Sequence, residues 1–266
     1  LAGEDQDYCL RIPGAGTEEY IDRKVEKHNA SVAEYAGVSP IVHHFSDDGI
    51  MLTEFIPDSV TMSPERFQSD FEAAFQAGES FRQLHQCDKP FEFRFEVFSM
   101  IEEYLQLLSK GKANELPEGY HDVVEQSKSV KEALDRNPVN LAPCHCDPLC
   151  ENFLKQHKKM WIVDWEYSGM NDPYWDLGDL SVEASMPEEA EMALLQGYFG
   201  RDPSARDIGR MIMYKALCDL LWTLWGLIQF MNENPVEDFW AYSIERFTRC
   251  INLMSTEEFS RHMSAI

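Results

Sequence analysis

The apolar pattern of this chain changes character at Pro57-Asp58-Ser59, and that change restricts the fold more than any other feature. Ahead of it, short alternating runs frame a single helix. Tyr8-Cys9-Leu10-Arg11-Ile12-Pro13 alternates as a strand does, and Gly14 and Gly16 then break the run. Thr17 is the expected cap of a helix carrying Glu18 and Glu19 in its first turn, where the helix dipole favours acids. Tyr20, Ile21, Val25, Val32 and Ala36 continue it until Gly37. Ile41–Phe45 and Ile50–Phe55 read as strands joined by the turn Ser46-Asp47-Asp48-Gly49.

From Pro64 the spacing becomes helical over Phe67–His85, Phe95–Ser109 and Tyr120–Arg136. Two short strands interrupt it, Asn152–Gln156 and Met160–Asp164, around a Lys-rich turn. Everything from Tyr174 onward reads as helix, with a break near Gly200–Pro203. The expectation is an α+β architecture: a small sheet lobe over residues 1–57 and a larger helical lobe over 58–266.

Twenty-three Lys and Arg against 47 Asp and Glu leave a net charge of −24. Such a surface repels nucleic-acid backbones and anionic lipid, so neither is an expected partner. It attracts cations, or serves solubility alone. Seven scattered cysteines fit reduced thiols, and the polar, acidic Leu1–Asp7 does not read as a secretory signal, so a cytoplasmic location is expected. Met211–Met231 is the most hydrophobic stretch, but Lys215 and Asp219 interrupt it. Its uncharged part, Leu220–Met231, has 12 residues and reads as a core helix.

The chemistry concentrates in Cys144-His145-Cys146-Asp147-Pro148-Leu149-Cys150-Glu151-Asn152 and in Asp164 at the end of the hairpin that follows. Phosphoryl transfer needs an acceptor oxygen for a hydroxyl proton and hard oxygen ligands for Mg²⁺ on the nucleotide phosphates. One loop of the form H-x-D-x-x-x-x-N supplies Asp147 for the first need and Asn152 for the second, and Asp164 completes the metal pair. Pro148 stiffens the loop. Cys144, Cys146, Cys150 and His145 invite a zinc reading, but the second Cys or His pair of a structural site is missing. His43 and His44 fall on opposite faces of a strand and cannot chelate one ion together.

This segment resembles the catalytic loop of the aminoglycoside phosphotransferase and choline kinase superfamily, which has the bilobal protein-kinase fold. Asp164-Trp165-Glu166-Tyr167 with Asn171-Asp172-Pro173-Tyr174-Trp175-Asp176 is similar to the D-[FW]-E-Y … N-D-P-x-x-D run of choline kinases, the bacterial type above all. Leu10-Arg11-Ile12-Pro13-Gly14 resembles those kinases' third strand, which implies that Arg11 grips nucleotide phosphates and that Glu26 pairs with it. Glu54-Phe55-Ile56-Pro57 resembles the interlobe hinge, whose backbone binds adenine. The resemblance further implies ATP and Mg²⁺ as cofactors and His145 as part of the catalytic loop, where it reads more as an anchor than as an acid or base. Asp176 either touches the site or ties down the loop through backbone N–H groups. The family carries two strands and a Gly-rich turn ahead of the position of Tyr8. Gly14-x-Gly16 comes too late to be that turn, so either further residues precede Leu1 or the nucleotide is held without that loop; the first is expected, since a sheet opening on a lone strand leaves an unpaired edge.

The same resemblance implies a small cationic alcohol, choline, as acceptor, lined by Tyr167, Glu183, Trp222, Trp225 and Tyr242. Choline's quaternary head donates no hydrogen bond, so a selective pocket uses aromatic faces and nearby negative charge. Trp222 and Trp225 share a helix face. The stretch 160–200 holds nine acids and no Lys or Arg. Paired tryptophans on an apolar helix also serve as plain core. Ethanolamine, thiamine or an aminoglycoside would keep the chemistry and change the acceptor. A catalytically inactive kinase fold that binds a ligand or partner is the reading from another class.

Overall fold

The computed structural model describes residues 6–14, 21–111 and 116–266. In chain order these form β1 (Tyr8–Arg11), α1 (Arg23–Tyr35), β2 (Val42–Phe45), β3 (Met51–Glu54), β4 (Val60–Thr61), α2 (Pro64–Ser69), α3 (Phe71–His85), α4 (Val97–Lys110) and α5 (Tyr120–Arg136). There follow β5 (Ala142–Cys144), β6 (Phe153–Gln156), β7 (Lys159–Ile162), β8 (Gly169–Asn171), α6 (Tyr174–Glu183), α7 (Glu188–Phe199), α8 (Ala205–Met231), α9 (Phe239–Met254) and α10 (Glu257–Ala265). The class is α+β, as expected.

Contacts group the chain into two compact units. The first comprises residues 1–95 with 140–203, and so draws on both sides of the boundary expected at residue 57. The second comprises 96–139 with 204–266.

Three small antiparallel sheets shape the first unit, in the orders β1-β3-β2, β4-β6-β7 and β5-β8. In the first sheet Arg11 pairs with Met51 and Tyr8 with Glu54. The register between β2 and β3 slips between Val42 and His44, an irregularity at His43, whose ring packs on Tyr8 at 5.1 Å. The turn before β3 needs Gly49, whose φ is +87°.

Helix α1 starts at Arg23, because the Asp22 carboxylate accepts from Lys24 N and Val25 N and caps it there. The cap expected at Thr17 lies outside the described residues. Asp22 heads the same apolar run one turn later.

The helix expected over Phe67–His85 is two helices. Asp70 ends α2 and caps α3, its side chain accepting from Ala73 N, and Lys155 on β6 holds the same carboxylate at 2.5 Å. The apolar period runs through this break, which is why spacing did not reveal it. Strands β4, β5 and β8 were also missed. Two or three residues are too few to show an alternation.

Phe67, Phe81 and Phe153 meet edge to face and are fully buried. They fix α2 and α3 against β6, and with it the start of the hairpin that carries Asp164. Helices α3 and α7 meet backbone to backbone. A Cβ on Gly78 would stand 2.1 Å from Leu194 O, and one on Gly197 would stand 2.0 Å from Phe75 O.

The second unit is helical. α8 is its long element, with α9, α10, α4 and α5 in contact with it. Its 27 residues include a window that is long and apolar enough to cross a membrane by length and composition, and 78% of that window is buried inside the protein. The expectation of a core helix holds, although the apolar window is longer than the uncharged 12-residue run suggested. Ser204 and Asp207 start α8 with a reciprocal capping box.

Gly78→Ala and Gly197→Ala are each expected to destabilise the protein by about 1–3 kcal/mol, because the added methyl meets a carbonyl with no room to yield. Chemical denaturation checks this, and an unchanged midpoint for both would mean that the helices separate at no cost.

Candidate active site

The loop between β5 and β6 is built around one buried carboxylate. Asp176, on the first turn of α6 and 0% exposed, accepts from His145 N at 2.7 Å and Cys146 N at 2.9 Å. Its Oδ2 also meets His85 Nε2 at 3.0 Å, and His85 Nδ1 meets the Tyr198 hydroxyl at 3.1 Å. Trp175 Nε1 donates to Cys146 O at 3.0 Å. Both backbone sides of Cys146 are thereby held, and this residue has a φ of +69°, a region that non-glycine residues rarely occupy. The reading of Asp176 as a tie for the loop is the one the geometry bears out.

Pro148 and a single 3₁₀ turn, Cys150–Asn152, follow, with Leu149 N donating to Asp147 O. Asn152 folds back: its Nδ2 donates to Asp147 O at 3.3 Å and its backbone carbonyl accepts from Val163 N at 2.9 Å. His145 Nε2 lies 2.9 Å from Val163 O, and its ring packs on Trp165 at 4.8 Å. His145 therefore braces the loop against the strand leading to Asp164. Both Asp147 and Asn152 are half-buried.

Cys144 and Cys146 are fully buried. Burial, and after it the charge of Asp176, pushes both thiols well above their ordinary pKa. Burial also raises Cys150 to about 12. Cys144 Sγ approaches Asn171 O and Cys146 Sγ approaches Cys144 O, each at 3.6 Å.

The second half of the site is a set of ion pairs. Arg11 on β1 bonds Glu26 on α1, as the resemblance implied, and its Nη1 also reaches Asp164 Oδ1 at 3.1 Å. Two further residues join. Arg23 Nη1 lies 2.6 Å from both Glu26 and Glu166, and Arg11 lies 3.6 Å from Glu166. Oxygens of Glu26, Asp164 and Glu166 all fall within 4.8 Å of one another, a donor set suited to a divalent cation. Burial raises the Glu26 pKa, opposed by the hydrogen bonds and charges of Arg23 and Arg11. Asp164 has a φ of +69° and keeps a side chain 44% exposed. No local pattern reveals the Arg23–Glu166 pair, because its two residues lie 143 apart in the chain.

Arg11, Asn152 and Asp164 line one cavity of about 370 Å³ together with Glu54, Phe55 and Ile56. Glu54 N donates to Ile41 O and Phe55 N to Asp7 O, so both of these amides are spent within the sheet region.

The residues expected around the acceptor divide between the two units. Tyr167 and Glu183 belong to the first; Trp222, Trp225 and Tyr242 belong to the second. Trp222 and Trp225 meet edge to face at 6.0 Å, and Trp225 also meets Tyr242 at 5.9 Å and Phe239 at 5.4 Å. Arg246 lies over the Tyr242 ring at 4.8 Å, which gives that ring a cation of its own.

Residues 2–195 match the choline/ethanolamine kinase family, and the chain belongs to that family and has its protein-kinase-like α+β fold. It is 53% identical to a choline/ethanolamine kinase family protein from Mesorhizobium loti, with a TM-score of 0.93 over 97% of this chain and 86% of that one. Choline kinase LicA from Streptococcus pneumoniae is 25% identical, with a TM-score of 0.76 over 96% of this chain and 88% of the other. A structure of LicA in complex with AMP is 27% identical, with a TM-score of 0.74 over 95% and 85% of the two chains. The protein is a phosphotransferase acting on an alcohol group.

Asp176→Asn replaces one accepting oxygen by a donor that faces the loop's N–H groups. The expected result is a kcat lowered by roughly 100-fold, since a shift of about 1 Å in a catalytic group costs that much. Steady-state kinetics on the folded variant checks it, and a kcat within threefold of wild type would show that the loop holds its shape without this carboxylate.

Proposed function

We propose that this protein transfers the γ-phosphoryl group of ATP to the hydroxyl of choline. The observation that carries the reading is the meeting of Arg11, Asn152 and Asp164 with the hinge residues on one cavity. Glu54, Phe55 and Ile56 form its adenine end, with Ile56 N as the donor for the ring. Arg11, oriented by Glu26, grips the phosphates. The hinge also marks the boundary we propose between a nucleotide lobe, 1–57, and a helical lobe, 58–266.

Asn152 spends its amide nitrogen on the Asp147 carbonyl, which turns Oδ1 into its remaining ligand atom. That oxygen and the exposed Asp164 carboxylate are the hard donors magnesium takes, and they would hold it. The ion supplies neutralisation of phosphate charge when bound. Asp147 accepts the proton of the acceptor hydroxyl as its oxygen bonds to the γ-phosphorus and the bond to ADP breaks. The rest is positioning and electrostatics, with no covalent intermediate. His145 acts on this chemistry through the loop it braces.

Choline over other alcohols is favoured by the mutually perpendicular rings of Trp222, Trp225 and Tyr242, which present faces and edges suited to a quaternary ammonium. Tyr167 and Glu183 remain proposed acceptor-binding residues. Ethanolamine is the second reading. Arg246 already occupies a face of Tyr242, and a primary ammonium needs fewer aromatic faces because it donates hydrogen bonds.

Two measurements test the proposal. Asp147→Ala is expected to lower turnover by about 1,000-fold while Mg-ATP still binds, the loss typical of a missing general base. Turnover that survives in Asp147→Ala would remove that residue from the chemistry. In a coupled ADP-release assay over choline, ethanolamine, thiamine and an aminoglycoside, choline is expected to lead. Trp222→Ala and Trp225→Ala are expected to raise its KM by ~10-fold, a modest cation–π contribution. Unchanged choline kinetics in both variants would leave these rings as core.

A further inference from the structure

Four charged side chains close a ring of ion pairs. Arg11 meets Glu26, Glu26 meets Arg23 at 2.6 Å, Arg23 meets Glu166 at 2.6 Å, and Glu166 returns to Arg11 at 3.6 Å. Asp164 hangs from the ring on Arg11 at 3.1 Å. The links are unequal. Those made by Arg23 are short, and they involve side chains that are 8% and 1% exposed for Arg23 and Glu26, and 19% for Glu166. The links from Arg11 to Asp164 and Glu166 are longer, and Asp164 is open to solvent on one side.

A nucleotide and its metal would compete for Asp164 and Arg11. The Arg11 links to Asp164 and Glu166 are the longer ones, whereas Arg11 sits close on Glu26 and the Arg23 links tie α1 to the segment after β7. Without Arg23, Glu26 and Glu166 would be two partly buried carboxylates sharing one guanidinium. Arg11 would then be pulled toward neutralising them instead of the phosphates.

We infer that Arg23 is a positioning residue for phosphoryl transfer, which keeps Arg11 available to the nucleotide by sharing with it the neutralisation of Glu26 and Glu166. The role rests on the kinase reading above and extends it to a residue that touches neither substrate. Gly49 supports the arrangement, since a Cβ there would stand 2.7 Å from both Arg23 Cδ and Nε, so the turn leaves the space that the Arg23 side chain occupies.

The experiment compares wild type with Arg23→Gln, Arg23→Lys and the double variant Arg23→Gln with Glu166→Gln. KM for ATP and for the alcohol, kcat, Mg-ATP binding by calorimetry and thermal stability are measured for each. In Arg23→Gln the KM for ATP and the Mg-ATP Kd are expected to rise about tenfold while the alcohol KM stays within about twofold, the signature of a lost charge–charge coupling at one end of the site. Arg23→Lys should recover part of the loss. The double variant should recover more of it, because it removes the charge that Arg23 leaves unpaired.

Equal changes in both KM values, or a lower melting temperature with an unchanged Mg-ATP Kd, would make Arg23 a structural residue only and overturn the inference. So would a double variant no better than Arg23→Gln. If wild type turned over none of the alcohols, the kinase assignment would fall on that result alone, while the calorimetric series would still decide the role of Arg23.

Discussion

Asp176 is a carboxylate with no exposed surface, and the loop between β5 and β6 takes its shape from how that group is satisfied. A carboxylate offers about four lone-pair directions. Here it takes His145 N, Cys146 N and the His85 ring. A buried anion left short of donors would be costly, so loop and anion hold each other in place. Cys146 can keep its left-handed backbone only under such restraint. Through Pro148 and the short turn after it, that restraint passes to Asp147 and Asn152. The buried thiols on either side of His145 add no charge, because burial keeps them protonated.

The ion-pair ring does for the nucleotide end what Asp176 does for the loop. Both devices use buried charge paired from several directions, where removing one partner costs more than the pair itself contributes. They differ in where the slack lies. Asp176 is 0% exposed and its contacts are all short, whereas the ring ends at Asp164, whose side chain is 44% exposed and held by a longer bond. The tighter contacts lie at Asp176 and the looser ones at the solvent-exposed Asp164. The chain's net charge of −24 makes this arrangement natural: carboxylates are plentiful, and the arginines are placed where they converge.

Features written in neighbouring residues could be read directly. The strand Tyr8–Arg11, helix Tyr120–Arg136 and the hairpin after Asn152 follow from local period. The loop motif marked Asp147 and Asn152, and the hairpin that follows marked Asp164, as candidates, because phosphoryl transfer needs an acceptor oxygen and hard oxygen donors close together. The Arg11–Glu26 pair came from resemblance and is present. The sequence was silent where the signal was too short or too distant. Two-residue β4 shows no alternation, the Asp70 break leaves the apolar spacing intact, and Arg23 meets Glu166 across most of the chain.

Sequence alone determined the class of chemistry, since the runs Asp164–Tyr167 and Asn171–Asp176, which carry the likeness to choline kinases, are matters of residue type and local order. It also determined that α8 would be a core element, since its uncharged run Leu220–Met231 is too short to span a bilayer. Tertiary structure decided which of several acids does what. Asp176 became an anchor and Asp164 stayed open because one is enclosed by α6, β5 and His85 while the other ends a hairpin beside a cavity. It also decided that the Glu54 and Phe55 amides are spent within the sheet region and that Arg23 closes a ring. Burial and pairing across long sequence separations are properties of the packed chain, and no local pattern encodes them.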